Sequence, residues 1–474
     1  MKLYEVLAES IARSIQEGVL RRGEKLPSVR QASVSRNLSP STVFQAYYLL
    51  EAKGIIRARE RSGYYVTTET RYMQASPAPV EPMQISITQV DVSELVFDVL
   101  ESIKEKSIVP FGSAFPSPLL FPLDVLGRNM SAAVKSMDPW ASVDNLSPGD
   151  SNLRRQIAFR YMVDGIKVAQ DDVVITNGAL EALNLCLMAT TRPGDAVLIE
   201  SPTFYAALQS IERLGLKAIE VPSHPSTGID LDAMKLAIEQ HHPKVCWLMT
   251  NFQNPMGSLL SDEKKQALVQ LITHYELPLI EDDVYAELYF AKRRPLSVKA
   301  FDTDGWVMHC SSFSKCLAPG YRVGWVAAGR FTKAISRLKL TTTLSASVPA
   351  QLALAKYLQK GGYDKHLRSL RHTLLLNQIK FIESIKRYFP EGTCLTIPQG
   401  GYFLWIKLPD GVNALHVHRA ALSIGISIAP GVIFSALANF DNYIRLNYGH
   451  VWDDRMQASL QRLGLIVKRL CSKA

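Results

Sequence analysis

The sequence has no Cys-x-x-Cys pair. Its six cysteines, Cys186, Cys246, Cys310, Cys316, Cys394 and Cys471, are scattered along the chain, which excludes a disulfide framework and the thiolate spacing of a zinc site. Reduced, mostly buried thiols are expected, and no metal. There is no apolar run of about 18 residues, so a membrane span is excluded. Glu9, Ser10 and Arg13 interrupt the N-terminus before an apolar stretch long enough for a signal peptide, and a cytoplasmic protein is expected. With 25 prolines, 20% charged residues and 47% apolar residues, the chain is neither disordered throughout nor a fibrous repeat. Its 474 residues are about three times a usual domain, so more than one folding unit is expected.

Aspartate is missing from the first seventy residues. That segment carries 11 Lys and Arg against 7 Glu, so it holds +4 of the total +9. Its arginines cluster at 21–36 and 57–61, the distribution a phosphate-binding surface needs, although a basic solvated face has the same composition.

Within this segment Leu3, Val6, Leu7, Ile11 and Ile15 recur three or four apart, which predicts a helix ending near Gly18. Ser28 after Pro27 and Ser39 before Pro40 can each cap a following helix. The third helix, from Ser41 to the stop at Gly54, has a polar first turn and an apolar side behind it, the layout of a recognition helix. Ile55–Arg59 and Tyr64–Thr67 then read as two strands around Arg61-Ser62-Gly63. Three helices and a hairpin make a winged helix-turn-helix.

A resemblance follows from the spacing of Glu17-Gly18, Gly23-Glu24-Lys25-Leu26-Pro27-Ser28-Val29-Arg30, Ser39-Pro40-Ser41-Thr42-Val43, Leu50-Glu51-Ala52-Lys53-Gly54 and Ser62-Gly63-Tyr64-Tyr65-Val66. Together they resemble the GntR-type DNA-binding domain. The resemblance implies that Arg30, Ser39, Ser41, Thr42, Gln45, Ser62 and Gly63 approach double-stranded DNA. Ala32-Ser33 and Asn37 depart from the family's usual Leu-Ala and Gly, at positions that concern helix packing.

Ser76-Pro77-Ala78-Pro79-Val80-Glu81-Pro82 lies in a stretch read as an extended, semi-rigid linker covering 71–107, with a short amphipathic helix through Val96, Phe97, Leu100 and Ile103. From 108 onward, β-rich runs without clean alternation recur: Asp172–Thr176, Ala196–Ile199, Val245–Met249, Leu277–Ile280 and Trp306–Cys310. Strands covered on both faces look like this, so the domain is α/β, and functional groups are sought at strand ends.

After the first run comes Asn177-Gly178-Ala179, a glycine turn entering a helix, where backbone N–H groups would hold a phosphate. After the second, Phe204 and Tyr205 present aromatic rings that could cover a planar group or simply fill a core. Asn254 follows the third at a sharp turn. Glu281-Asp282-Asp283 ends the fourth beside Tyr285, and three adjacent acids require a cationic partner. Ser311-Ser312-Phe313-Ser314-Lys315 ends the fifth, with Arg322 seven residues on. A lysine among small hydroxyls near a phosphate-binding arginine fits a Schiff-base lysine, whereas alone it would read as a surface lysine.

In this order the motifs resemble fold type I pyridoxal-phosphate enzymes, and among them aminoadipate and kynurenine aminotransferases. The resemblance implies a large mixed-sheet domain with a smaller α+β C-terminal subdomain from about 340 to 474, and pyridoxal 5′-phosphate as cofactor. It implies that Lys315 bonds the cofactor and shuttles a proton, Asp282 pairs with the ring nitrogen, and Asn254 and Tyr285 bond the ring oxygen. Gly178, Ala179, Ser312 and Arg322 would hold the phosphate and Phe204 would stack on the ring. Asn442–Asn447 matches the segment whose arginine, here Arg445, takes a substrate carboxylate. Asp144 stands where relatives carry tyrosine.

A winged helix over 1–70, a linker over 71–107 and an aminotransferase-like domain over 108–474 resemble the MocR branch of GntR regulators. The function this implies is a cofactor-dependent transcription factor that senses an amino-acid or amine effector as a homodimer. The alternative is a true aminotransferase with an accessory N-terminal module.

Overall fold

The computed structural model describes residues 3–16, 20, 23–52, 54–59, 62–67, 85–94, 96, 97 and 107–472. Glu17-Gly18, Arg61, most of the linker, Leu100 and Ile103 lie outside the described residues. Contacts divide the chain into a small unit built mainly from Met1–Gln74 and a large unit built from the remainder.

The small unit comprises α1 (Leu3–Gln16), α2 (Val29–Arg36), α3 (Pro40–Ala52), β1 (Ile56–Arg59) and β2 (Gly63–Val66). Leu7 and Ile11 of α1 meet Val43, Ala46, Tyr47 and Leu50 of α3 and Ile56 and Val66 of the hairpin in one core. The α2 start is a reciprocal cap: Gln31 N donates to Ser28 Oγ at 3.2 Å and Ser28 N donates to Gln31 Oε1 at 3.0 Å. Asn37 ends α2 at φ 50°, a left-handed conformation that asparagine tolerates better than other non-glycine residues, and Ser33 Oγ donates to Leu38 O at 2.6 Å. Asn37 therefore sits in a satisfied turn, and Ala32 and Ser33 lie within α2, Ala32 buried. β1 and β2 pair antiparallel, with Arg57 opposite Tyr65 and Arg59 opposite Gly63.

The large unit is organised by a nine-stranded mixed sheet. Its strands are β3 (Ile87–Gln89), β5 (Val173–Thr176), β6 (Ala196–Ser201), β7 (Lys217–His224), β8 (Gly228–Ile229), β9 (Val245–Leu248), β10 (Leu279–Asp282), β11 (Val307–Ser312) and β12 (Gly324–Ala327). The order is β3-β7-β6-β9-β10-β11-β12-β5, with β8 on β7. β7, β6, β9, β10 and β11 run parallel, and β12 is antiparallel to both β11 and β5.

The period-two geometry of a strand explains why its sequence lacks alternation. In β9, Val245 and Trp247 enter the core on one face, and Cys246 and Leu248 enter the core on the other. Both faces are apolar because helices cover both. β10 runs two residues further than the run Leu277–Ile280 suggested, which puts Glu281 and Asp282 inside the strand.

The C-terminal part adds a four-stranded antiparallel sheet. It contains β13 (Cys394–Leu395), β14 (Phe403–Lys407), β17 (Tyr443–Asn447) and β16 (Ala429–Pro430), in that order. β4 (Val109–Pro110) and β15 (Ile426–Ser427) form a separate parallel pair. Arg445 lies in β17, between Trp405 of β14 and Ala429 of β16.

Candidate cofactor site and nucleic-acid surface

In the large unit, the ends of β5, β10 and β11 surround a cavity of about 130 Å³. Ala179, Phe204, Asp282, Tyr285, Ser312, Lys315 and Arg322 line it, joined by Phe115, Leu180, Leu183, Met249, Val284 and Ser314. Gly178 stands behind this wall. Asn254 and Arg445 are outside the lining and pair with each other.

At one end of the cavity Gly178, at φ +80°, precedes the helix Ala179–Thr190. A Cβ there would lie 2.6 Å from an Arg322 guanidinium nitrogen, so glycine is required both for space and for backbone conformation. Arg322, itself left-handed at φ 52°, donates to Ser314 Oγ at 3.3 Å. The first N–H groups of the helix lack intrahelical acceptors, and the adjacent guanidinium adds positive charge. This corner suits a phosphate. Gly324 also belongs to it: a Cβ on Gly324 would stand 2.5 Å from the Gly178 carbonyl carbon. Its role comes from the closeness of β12 to the β5 turn and has no local sequence signal.

Lys315 reaches into the cavity, where its Nζ donates to Ala114 O at 2.8 Å and stands 3.8 Å from the centre of the Phe115 ring. Burial pushes the amine down to about 7, helped by the positive Arg445 and Arg322 and opposed by Asp282. At neutral pH a substantial share of this amine is unprotonated, the form that acts as a nucleophile. Asp282 is 1% exposed and its Oδ1 has no hydrogen-bond partner. Burial, with the neighbouring Asp283, pushes its carboxyl up to about 7.

Of the three adjacent acids, Asp283 is the one that has a cationic partner, Arg294. Burial pushes the Asp283 carboxyl up, but His309 Nε2 at 2.9 Å and Arg294 at 3.7 Å outweigh this and hold it below the usual range. His309 Nδ1 lies 2.6 Å from the Tyr161 hydroxyl, and Asn251 Nδ2 donates to Asp283 Oδ1 at 3.0 Å. Glu281 accepts from Thr250 at 2.7 Å and from the Val298 amide at 2.7 Å. The strand end that presents Asp282 is therefore pinned on both sides by groups distant in sequence. The expected acid–cation pairing was legible; its cation, Arg294, was not, nor was the hydrogen-bonding His309.

Arg445 is fully buried. It donates to Asn254 Oδ1 at 2.9 Å and to Gly112 O at 2.7 Å, stands 4.2 Å from the Phe403 ring centre, and leaves Nε without a partner. Asn254 Nδ2 is likewise buried without a partner. Tyr285, 1% exposed, meets the rings of Tyr402 and Phe403 edge-on at 5.4 and 5.6 Å. Burial raises its hydroxyl well above the usual tyrosine value. The Tyr402 hydroxyl donates to Ala114 O at 3.1 Å, the same carbonyl that holds Lys315.

On the small unit Arg30, Ser39, Ser41 and Gln45 are exposed and Thr42, Ser62 and Gly63 are half-buried. Ser39 Oγ accepts from Thr42 N at 3.1 Å and lies 2.8 Å from Ser41 Oγ and 2.7 Å from Thr42 Oγ1, so one hydroxyl cluster both caps α3 and forms its leading edge. On the wing, Ser62 Oγ lies 2.7 Å from the Tyr65 hydroxyl and Arg59 stands 4.5 Å over the Tyr65 ring. Among the described residues no helix is long and apolar enough to cross a membrane.

Fold and site define a winged-helix regulator joined to an aminotransferase-like domain. Residues 3–66 match the gntR family of bacterial regulatory proteins, and residues 146–463 match aminotransferase class I and II. The chain belongs to the MocR type of GntR regulators. It is 45% identical over 468 residues, 99% of each chain, to the HTH-type transcriptional regulator YdcR of Escherichia coli strain K12. Among solved structures, kynurenine aminotransferase of Pyrococcus horikoshii superposes with a TM-score of 0.74 at 28% identity, over 80% of this chain and 95% of the other. The α-aminoadipate aminotransferase LysN of Thermus thermophilus gives 0.73 at 27% identity, over 81% and 100%.

This family implies pyridoxal 5′-phosphate as the cofactor. The residues fit it. An orphaned carboxylate oxygen on Asp282, an orphaned amide N–H on Asn254 and a corner at Gly178 that any Cβ would fill supply an acceptor, a donor and a phosphate cradle.

Proposed function

We propose that the large unit senses an amino-acid or amine effector through cofactor covalently held at Lys315, and that the small unit carries the outcome to a DNA operator. The observation that supports this best is the pairing of a lysine amine pushed down to about 7 with the unpartnered Oδ1 of Asp282 in one cavity, on a chain that begins with a winged helix.

The cofactor supplies an aldehyde that condenses with amines and a ring that withdraws electrons. The protein's part is assigned residue by residue. Gly178, Ala179, Ser312 and Arg322 hold the phosphate, and Phe204 covers one ring face. Asp282, ionised once a cationic ring nitrogen replaces its missing partner, keeps that nitrogen protonated. Asn254 Nδ2 and the Tyr285 hydroxyl donate to the ring oxygen. Lys315 would bond the cofactor at Nζ and would hold or move a proton at that atom. Arg445 takes the effector's carboxylate as a bidentate pair. Arg30, Ser39, Ser41, Thr42, Gln45, Ser62 and Gly63 meet DNA. The working form is a cytoplasmic homodimer that carries two winged helices.

The second reading, a working aminotransferase, draws on the same constellation, since Lys315, Asp282 and Arg445 are all present. An absorbance screen of amino acids and amines against the holoprotein tests the sensing site. A shift in the cofactor band with a subset of them, without sustained turnover, supports the regulator. No shift with any amine overturns the Lys315 assignment.

A further inference from the structure

We propose that Phe44 is a sequence-reading residue of the DNA surface and packs against the 5-methyl group of a thymine in the major groove. This rests on the reading of α3 as a recognition helix.

Phe44 is 53% exposed, on a helix whose other side fills the core. Ser41, Phe44, Gln45 and Tyr48 are spaced i, i+3, i+4 and i+7 and form one outward face, opposite the buried Val43, Ala46, Tyr47 and Leu50. The rings of Phe44 and Tyr48 lie 6.5 Å apart at an interplanar angle of 11°, so the phenylalanine is braced from behind by the next turn. Exposed Arg30, Arg36, Arg57 and Arg59 give the unit's surface the charge that suits a phosphate backbone.

The occupant follows from what a major groove offers. The one methyl group that base edges present there is thymine's. A ring carried into the groove with no methyl to meet would dehydrate polar edges for no return, whereas a methyl removes apolar surface from water on both sides. Gln45, the next residue, has the amide geometry that pairs with adenine N6 and N7. Phe44 and Gln45 together would therefore favour an A·T-containing step, one residue reading the polar edge and the other the methyl.

The test uses the full-length holoprotein and a duplex enriched by it from random sequence, in which each thymine is replaced in turn by deoxyuridine. At one or two positions wild-type affinity should fall by about fourfold, the value of one buried methyl. Phe44→Ala should bind the parent duplex more weakly and be indifferent to deoxyuridine at those same positions, while Phe44→Leu should retain part of the penalty. A salt dependence equal to the wild type's would show that the phosphate contacts, and so the fold, persist. Uniform tolerance of deoxyuridine by the wild type, or an unchanged penalty in Phe44→Ala, would overturn the role of Phe44 and leave the DNA-binding reading intact. Failure of the wild type to enrich any sequence would overturn both.

Discussion

The two units present their candidate site residues in opposite ways. Arg30, Ser41 and Gln45 on the small unit are in water, and the hydroxyls of Ser39, Ser41 and Thr42 satisfy one another. In the large unit Asp282, Asn254 and Arg445 are buried, each leaving a polar atom without a partner. A surface that binds a polyanion reversibly exchanges water for phosphate and need not be under tension beforehand. A site for a small charged cofactor holds unpaired groups in a low-dielectric interior, so binding there is strongly coupled to protonation. Cofactor-site substitutions should therefore have large, pH-linked effects, and DNA-surface substitutions smaller, salt-linked ones.

The largest effect expected is at Lys315. Lys315→Ala should abolish the borohydride-reducible lysine adduct, read by peptide mass spectrometry, with the fold retained; an adduct persisting on another lysine would assign the wrong residue. Next comes Gly178→Val, which combines a Cβ 2.6 Å from Arg322 with φ +80°. Strain of about 1–3 kcal/mol, plus a displaced guanidinium, should weaken cofactor binding by more than tenfold in equilibrium titration. Gly127→Ala, where an added Cβ meets nothing within 4 Å, should bind cofactor as the parent does.

The carboxyl of Asp282 gives a pH signature. Its folded value is raised to about 7 from an unfolded value of about 4, so its protonated form contributes stability that is fully present below about 4 and disappears as pH rises through 7. Asp282→Asn cannot lose that contribution. Cofactor-free Asp282→Asn should therefore gain in melting temperature relative to cofactor-free parent between pH 4 and 7, although it binds cofactor less well. A difference independent of pH would show that Asp282 is not the strained group. The smallest effect is on the DNA side: Ser39→Ala removes the α3 cap and should cost about 1 kcal/mol of stability in denaturant unfolding of the small unit.

Much of this contrast was legible in the sequence, because both units obey local rules. Strands buried on two faces lose alternation, so the β9, β10 and β11 runs stood out, and Asp282 and Lys315 fall at or just beyond two of their ends. Ser28 and Ser39 signalled helix starts through cap chemistry. What escaped depends on distant parts of the chain. Gly324 matters because β12 passes against the β5 turn, and Asp283 is held by His309 on the next strand. Phe44 escaped for another reason: an apolar residue in an amphipathic helix reads as core until the helix's rotation about its axis is known.

The central claim is that the buried site controls the exposed one. It is tested most directly by footprinting the chain on DNA at physiological salt, with and without an amine that shifts the cofactor band, for the wild type and Lys315→Ala. The account predicts a sequence-specific footprint for both proteins, altered by the amine only in the wild type. A chain that protects no sequence and turns over amino acids at about 1 per second or faster would contradict it.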